Sequence, residues 1–182
     1  MNHKSLTMCF SITFFGEFTL NKPLTPAQTT YLRKFADTPR LARKVDIVST
    51  IKDPLREAVN LPLGEEGEYF TGENRYEPYE NQKPTLLHSP YEKSTQPKTQ
   101  PSQYCCWGPN ENGTAITWTM HDDSKTYDNW LEYIIQHFLT PWGYTLNGQI
   151  ETNTGIVQGL ITIKDNVVTV NPPKEPVKRR IY

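Results

Sequence analysis

The chain has 182 residues, and its 19 Lys and Arg are balanced by 20 Asp and Glu. This balance gives no global signal for nucleic acid or an anionic membrane. The apolar runs are shorter than the ~20 residues of a membrane-spanning helix, so we expect no membrane partner. Hydrophobic residues reach only 36%, and there are 15 prolines. We therefore predict one domain, residues 1–182, in which a globular core shares the chain with irregular segments.

Residues 9–20 are rich in aromatic and β-branched side chains and predict a strand, with Gly16 at a bulge or bend. A cleaved signal peptide is the weaker interpretation of this N-terminal stretch. Three cysteines, two of them adjacent, make a poor disulfide framework. A reducing, cytoplasmic location is therefore expected.

Two helix starts follow in the sequence. Thr25 and Gln28 have the spacing of a capping box, and Pro39 disfavours α geometry at the residue before it, so a helix is predicted between them. Asp53 followed by Pro54 predicts a second, short helix by the same logic of an N-cap and a first-turn proline.

Charge is uneven along this part of the chain. Residues 33–56 carry seven basic and three acidic side chains, whereas residues 57–92 carry eight acidic and two basic ones. Arg40, Arg43 and Lys44 are candidates for binding phosphate or a nucleic-acid backbone. The alternative is that these cations pair with the acidic block that follows.

Residues 71–103 contain five prolines and show little periodicity. We predict a long irregular insertion, since such segments are usually functional or disordered. Beyond it, residues 104–107 and 115–120 predict a hairpin around an Asn-Gly turn. Trp107 and Trp118 are expected to face each other across it. They are also candidates for stacking on bases, and the alternative is that they cover the core.

Residues 126–139 carry apolar side chains at the spacing of one buried helix face, with Thr126 as the expected cap. Trp130, Leu131, Ile134 and Phe138 are the predicted core contacts. Strands are predicted over residues 144–152, 155–164 and 167–170, and a flexible tail over residues 171–182.

The predicted order is β-α-β-β-α-β followed by further strands. This order is that of ferredoxin-like folds. We therefore predict an α+β fold in which two helices cover one face of an antiparallel sheet extended by C-terminal strands. The alternative is a larger, curved antiparallel sheet around the same two helices.

Four stretches carry a resemblance: FTLNKPLTPAQTTYLRKFADTPR (residues 18–40), DPLREAVNLPLGEEGEYF (53–70), WGPNENGTAITW (107–118) and YDNWLEYIIQHFLTPWGYTLNG (127–148). Together they resemble a family of small uncharacterised proteins of bacteria, prophages and phages. The chain departs from that family's pattern after Trp118 and after Ile150. The resemblance implies no activity, cofactor or catalytic residue. By association, a mobile-element protein would favour a binding role directed at the host or its defences.

His121, Asp122 and Asp123 form the one compact group of metal-type side chains in the sequence. They suggest a metal site or a histidine base. The alternative is a loop whose carboxylates cap the next helix, because adjacent residues rarely converge on one ion.

The first functional hypothesis is a non-enzymatic interaction module with a protein partner, and a homo-oligomer is left open. The second is a nucleic-acid or nucleotide binder that uses residues 33–56, and the third is a metal-dependent hydrolase or nuclease. No cofactor is expected. The candidate binding residues are Arg40, Arg43, Lys44, Trp107, Trp118 and His121.

Overall fold

The computed structural model describes residues 12–72, 83–88, 95–119, 126–153 and 158–171. They form an antiparallel sheet in the order β3-β4-β2-β5-β6-β7, with β1 also paired to β5, so the predicted α+β class is confirmed. The strands are β1 Thr13–Phe15, β2 Phe18–Leu20, β3 Trp107–Pro109, β4 Ala115–Trp118, β5 Leu146–Asn153, β6 Gln158–Lys164 and β7 Val167–Asn171. The helices are α1 Pro26–Asp37, α2 Val45–Val48, α3 Pro54–Ala58 and α4 Tyr127–Ile134, with a 3-10 turn at Glu65–Gly67.

The first predicted strand is divided at Gly16, whose φ of 119° lies in the region that favours glycine. A Cβ there would lie 3.2 Å from the carbonyl oxygen of Gln149. β1 and β2 both pair with β5, so the bend keeps them beside one partner strand. The bend predicted at this glycine as an alternative to a bulge is confirmed, while residues 9–11 of the predicted strand lie outside the described residues.

The caps of α1 and α3 follow the predictions, but that of α4 does not. Thr25 Oγ1 accepts from Gln28 N at 3.3 Å, and the Gln28 side chain closes the capping box. Asp53 accepts from Arg56 N at the start of α3. Thr126 makes no cap hydrogen bond, and its Oγ1 instead donates to Ser102 Oγ at 3.1 Å. The helix α2 was not predicted.

The predicted helix over residues 126–139 consists of α4 and a π-helical turn, Ile135–Leu139. Its predicted core contacts are confirmed, since Trp130, Leu131, Ile134 and Phe138 are all buried. The rings of α1 pack on it: Tyr31 lies 5.8 Å from Phe138, and Phe35 lies 6.2 Å from Trp130, between ring centroids. α1 and α4 therefore share one core.

On the inner face of the sheet, mostly apolar side chains from neighbouring strands pair with one another. The pairs are Trp107 with Trp118, Phe18 with Ile116, Leu20 with Leu146, Ile150 with Ile161, and Ile161 with Val170. α4 contacts both β3 and β7, which are the two ends of the sheet. The sheet thus curves around this helix and leaves its opposite, outer face without a helix from α1 or α4.

Residues 40–44, residues 64–72 and the described parts of the predicted insertion form an irregular layer beside the helices. The backbone of residues 40–44 connects the parts of this layer. It is hydrogen-bonded to the described parts of the predicted insertion, and Arg43 forms an isolated bridge with Leu86. The bonds are Arg40 N to Gln103 O (2.6 Å), Ala42 N to Thr95 O (2.7 Å), Lys44 N to Thr85 O (2.8 Å) and Leu87 N to Ala42 O (2.9 Å). The described part of the chain contains no helix with the length and apolar character to cross a membrane. Asn171 ends β7, and the rest of the predicted tail lies outside the described residues.

Candidate functional site

Arg40 is an interior side chain with 2% of its surface exposed. Its guanidinium donates to the carbonyl oxygens of Phe35 (3.4 Å), Glu68 (3.3 Å) and Phe70 (2.6 Å). It also lies 4.2 Å from the centroid of the Phe35 ring. Burial lowers the pKa of this arginine. Its donors hold the irregular layer against α1. Arg40 was a candidate for binding phosphate at the surface, and its burial corrects that assignment.

Arg43 is likewise buried, and its Nη1 donates to Thr85 Oγ1 at 2.6 Å. Its guanidinium lies 5.9 Å from the centroid of the Phe70 ring. Lys44 is exposed. The predicted basic surface is therefore corrected: two of its three cations stabilise the layer, and Lys44 alone of the three reaches solvent.

Trp107 and Trp118 form the expected cross-strand pair, with ring centroids 5.2 Å apart. Trp107 is 1% exposed, and its Nε1 donates to the carbonyl oxygen of Tyr127 at 2.8 Å. Trp118 is half-buried and stacks on Phe14 at 4.0 Å. Both rings belong to the inner, aromatic side of the sheet, and this placement agrees with the alternative that they cover the core rather than with exposed stacking on bases.

His121 and its two neighbouring aspartates lie outside the described residues. Within the described ranges, no group of three His, Cys, Asp or Glu side chains has the geometry to hold a metal ion. Cys105 is buried, its thiol donates to the Trp107 carbonyl, and burial raises its pKa to about 12. This thiol is therefore protonated and unreactive at neutral pH.

A polar cluster lies where the irregular layer meets the π-helical turn. Tyr69 Oη and His137 Nδ1 are 2.6 Å apart, and the Tyr133 ring stacks on the imidazole with centroids 4.0 Å apart. The Glu68 carboxylate accepts from Tyr133 Oη at 3.2 Å and from the Thr99 hydroxyl. The cluster thus joins three separate segments through charged and neutral hydrogen bonds.

Burial sets the protonation of this cluster. It lowers the pKa of His137 and raises that of Tyr69 to about 12. At neutral pH both groups are therefore uncharged, and they share one hydrogen bond. These groups fasten the layer to α4, and we assign them a structural role.

The outer face of the sheet carries an open groove of about 450 Å³. Its central row crosses four strands, because Phe15 pairs with Glu151, Glu151 with Leu160, and Leu160 with Asn171. Thr152 and Gly159 belong to the next row, which points to the inner face, so they border the groove with backbone. The lining residues are Phe15, Glu151, Thr152, Asn153, Gln158, Gly159, Leu160 and Asn171.

The groove combines an exposed aromatic ring with an exposed carboxylate. Phe15 is 58% exposed, and Glu151 is also exposed. Of the described lysines and arginines, none is within ion-pair distance of Glu151. Sequence analysis missed this site, although one signal was present. Phe14 and Phe15 are adjacent in a strand, so they must point to opposite faces.

Comparison of the chain with protein-family models, with curated proteins and with solved structures finds no match in any of the three.

Proposed function

We propose that this protein is a non-enzymatic interaction module that binds a protein partner through the outer-face groove. The observation that carries the proposal is Phe15, a large aromatic side chain that is 58% exposed in a concave part of the sheet. Concave sites with a few apolar anchors and a polar rim are typical of binding surfaces.

The energetics support a partner at this position. Fully burying a Phe side chain contributes roughly 1.5–3 kcal/mol, and more than half of the Phe15 surface is still in water. Leu160, half-buried in the same cross-strand row, adds to the apolar area. Aromatic anchors of this kind dominate many protein interfaces. A partner that covers the groove would bury this apolar surface, and that burial would contribute to the free energy of binding.

We also infer that the four strands β3-β4-β2-β5 form a ferredoxin-like unit, to which β6 and β7 are added. Support comes from the strand order and from the position of the helices in the chain. α1 connects β2 towards β3, and α4 connects β4 to β5, as in the β-α-β-β-α-β order. In such a unit the helix-free face of the sheet is available for binding.

The proposal is tested by affinity capture from the source cells, followed by quantitative mass spectrometry. Phe15→Thr removes the groove aromatic, and Val167→Thr is the matched control, since Val167 is a strand residue that is 65% exposed but does not line the groove. We expect proteins retained by the wild type and by Val167→Thr to be lost with Phe15→Thr. Equal capture by all three, or capture that disappears after nuclease treatment, would overturn the proposal.

A further inference from the structure

We propose that the groove takes an extended peptide in which a Lys or Arg and an aliphatic or aromatic residue stand two positions apart, so that both side chains point into the groove. This inference rests on the proposed function and names the chemistry of its partner. It starts from the row Phe15, Glu151 and Leu160, which are direct neighbours on β1, β5 and β6. Adjacent strands lie ~4.8 Å apart, so one carboxylate stands between two apolar side chains.

Charge complementarity selects the basic residue. Among the described residues that line the groove, Glu151 is the only one with a charged side chain. Lys164 lies at the far end of β6, four residues from Leu160, or about 13 Å along the strand at ~3.3 Å per residue. The described lining of the groove therefore carries net negative charge. A carboxylate with a cationic donor forms the stronger, charge-assisted type of hydrogen bond.

The apolar neighbours select the second residue of the pair. A peptide cation placed on Glu151 brings the side chain two residues away over Phe15 or Leu160, because both lie one strand away and alternate residues of an extended chain share a face. The rim is polar, since Asn153, Gln158 and Asn171 also line the groove. Their amide groups both donate and accept hydrogen bonds, which suits the alternating N–H and C=O groups of an extended backbone.

Other occupants fit this chemistry less well. A nucleic acid would bring phosphates to a site whose described lining carries only the negative charge of Glu151, and phosphate binding needs cations. A second copy in a two-fold dimer through this face would bring Glu151 close to its own equivalent, because such interfaces are self-complementary. The four strands span roughly 14 Å at ~4.8 Å each, which matches about four extended residues.

The test is a titration of the full ¹⁵N-labelled chain, followed by NMR, with three probe peptides. They are acetyl-Lys-Thr-Leu-Thr-amide (the Lys-Leu peptide), acetyl-Glu-Thr-Leu-Thr-amide (the Glu-Leu peptide) and acetyl-Lys-Thr-Ser-Thr-amide. We expect the Lys-Leu peptide to shift amides of β1, β5 and β6, with a Kd at least tenfold lower than that of either of the other two.

A charge exchange adds the decisive control. Glu151→Lys should reverse the preference towards the Glu-Leu peptide. Glu132→Lys makes the same change of charge at an exposed position on α4 and should leave the preference unchanged. Equal binding of the Lys-Leu and Glu-Leu peptides, or no shift at the groove with any peptide, would overturn this inference. If partner capture still depends on Phe15 in that case, the proposed function stands and only the basic–apolar specificity fails. A preferential shift of the groove amides by an oligothymidylate would also overturn it.

Discussion

Tyr69 Oη and Nδ1 of His137 share a hydrogen bond, with the two atoms 2.6 Å apart. The bond ties the irregular layer that follows α3 to the π-helical turn that follows α4. Burial shifts the pKa of both partners: the pKa of the phenol is raised to about 12, and the pKa of the imidazole is lowered. The bond therefore links protein stability to pH.

We predict that the protein loses stability as the pH falls below the ordinary histidine value of about 6.5. Because the pKa of His137 is lower in the folded chain, the unfolded chain takes up the proton first. The stabilising effect is fully present above the histidine pKa of the unfolded chain. It is lost as the pH falls from that value through the lower pKa of the folded chain. Burial is the main cause of the shift, and the charge of Glu68 opposes it. Urea unfolding at pH 7.5, 6.5 and 5.5 measures the effect.

His137→Gln is the non-titrating reference for this experiment. The free energy of unfolding of the wild type should fall relative to that of the variant as the pH is lowered. Parallel pH profiles for the two proteins would show that His137 is not the responsible group.

Arg40 should be one of the most sensitive positions in the chain. Arg40→Ala removes the donor to the carbonyl oxygens of Phe35, Glu68 and Phe70. The Glu68 oxygen keeps its bond from Gln100 Nε2, and each of the others left unsatisfied costs roughly 1–3 kcal/mol. We expect a loss of at least about 3 kcal/mol. Lys44→Ala, at an exposed cation nearby, should cost less than about 0.5 kcal/mol. Urea melts of both variants decide whether this segment is interior or surface, and similar losses would contradict the assignment.

Trp130 should be the main apolar contact of α4. Its ring is fully buried, and its Nε1 donates to Ser102 Oγ at 2.9 Å. Trp130→Ala should therefore cost roughly 3–5 kcal/mol. Glu132 is exposed on the same helix, and Glu132→Ala should cost under about 0.5 kcal/mol. Thermal or urea unfolding tests the pair, and comparable losses would mean that the buried face of the helix is misassigned.

Nucleic-acid binding should be weak. Two of the three cations proposed for it, Arg40 and Arg43, are buried, and phosphate contacts require accessible charge. We expect no Kd below about 10 μM at ~150 mM salt, which is far weaker than typical specific recognition. Fluorescence anisotropy with single- and double-stranded oligonucleotides measures this. Submicromolar binding that weakens with salt and is reduced by Lys44→Ala would make nucleic-acid recognition the leading function.

Features decided by neighbours along the chain were predictable from sequence. The capping box at Thr25 and the cap at Asp53 depend on residues three positions away. The buried face of α4 depends on a repeating spacing, and the turn at Asp165 and Asn166 depends on residues that tolerate positive φ. Each of these signals acts within a few residues, so a local pattern is sufficient to identify it.

Tertiary structure decided whether each charged or aromatic residue is buried or exposed, and on which face of the sheet it lies. Arg40 and Arg43 belong to a basic segment by sequence, but backbone pairing with residues far along the chain places them inside. Phe15 and Leu160 become neighbours only through β5, which pairs with both of their strands. Local composition shows which side chains a segment contains. The register of the paired strands determines which of them lie on the same surface. The physical reason is that burial and proximity arise from long-range pairing, which leaves no pattern in any short stretch of this sequence.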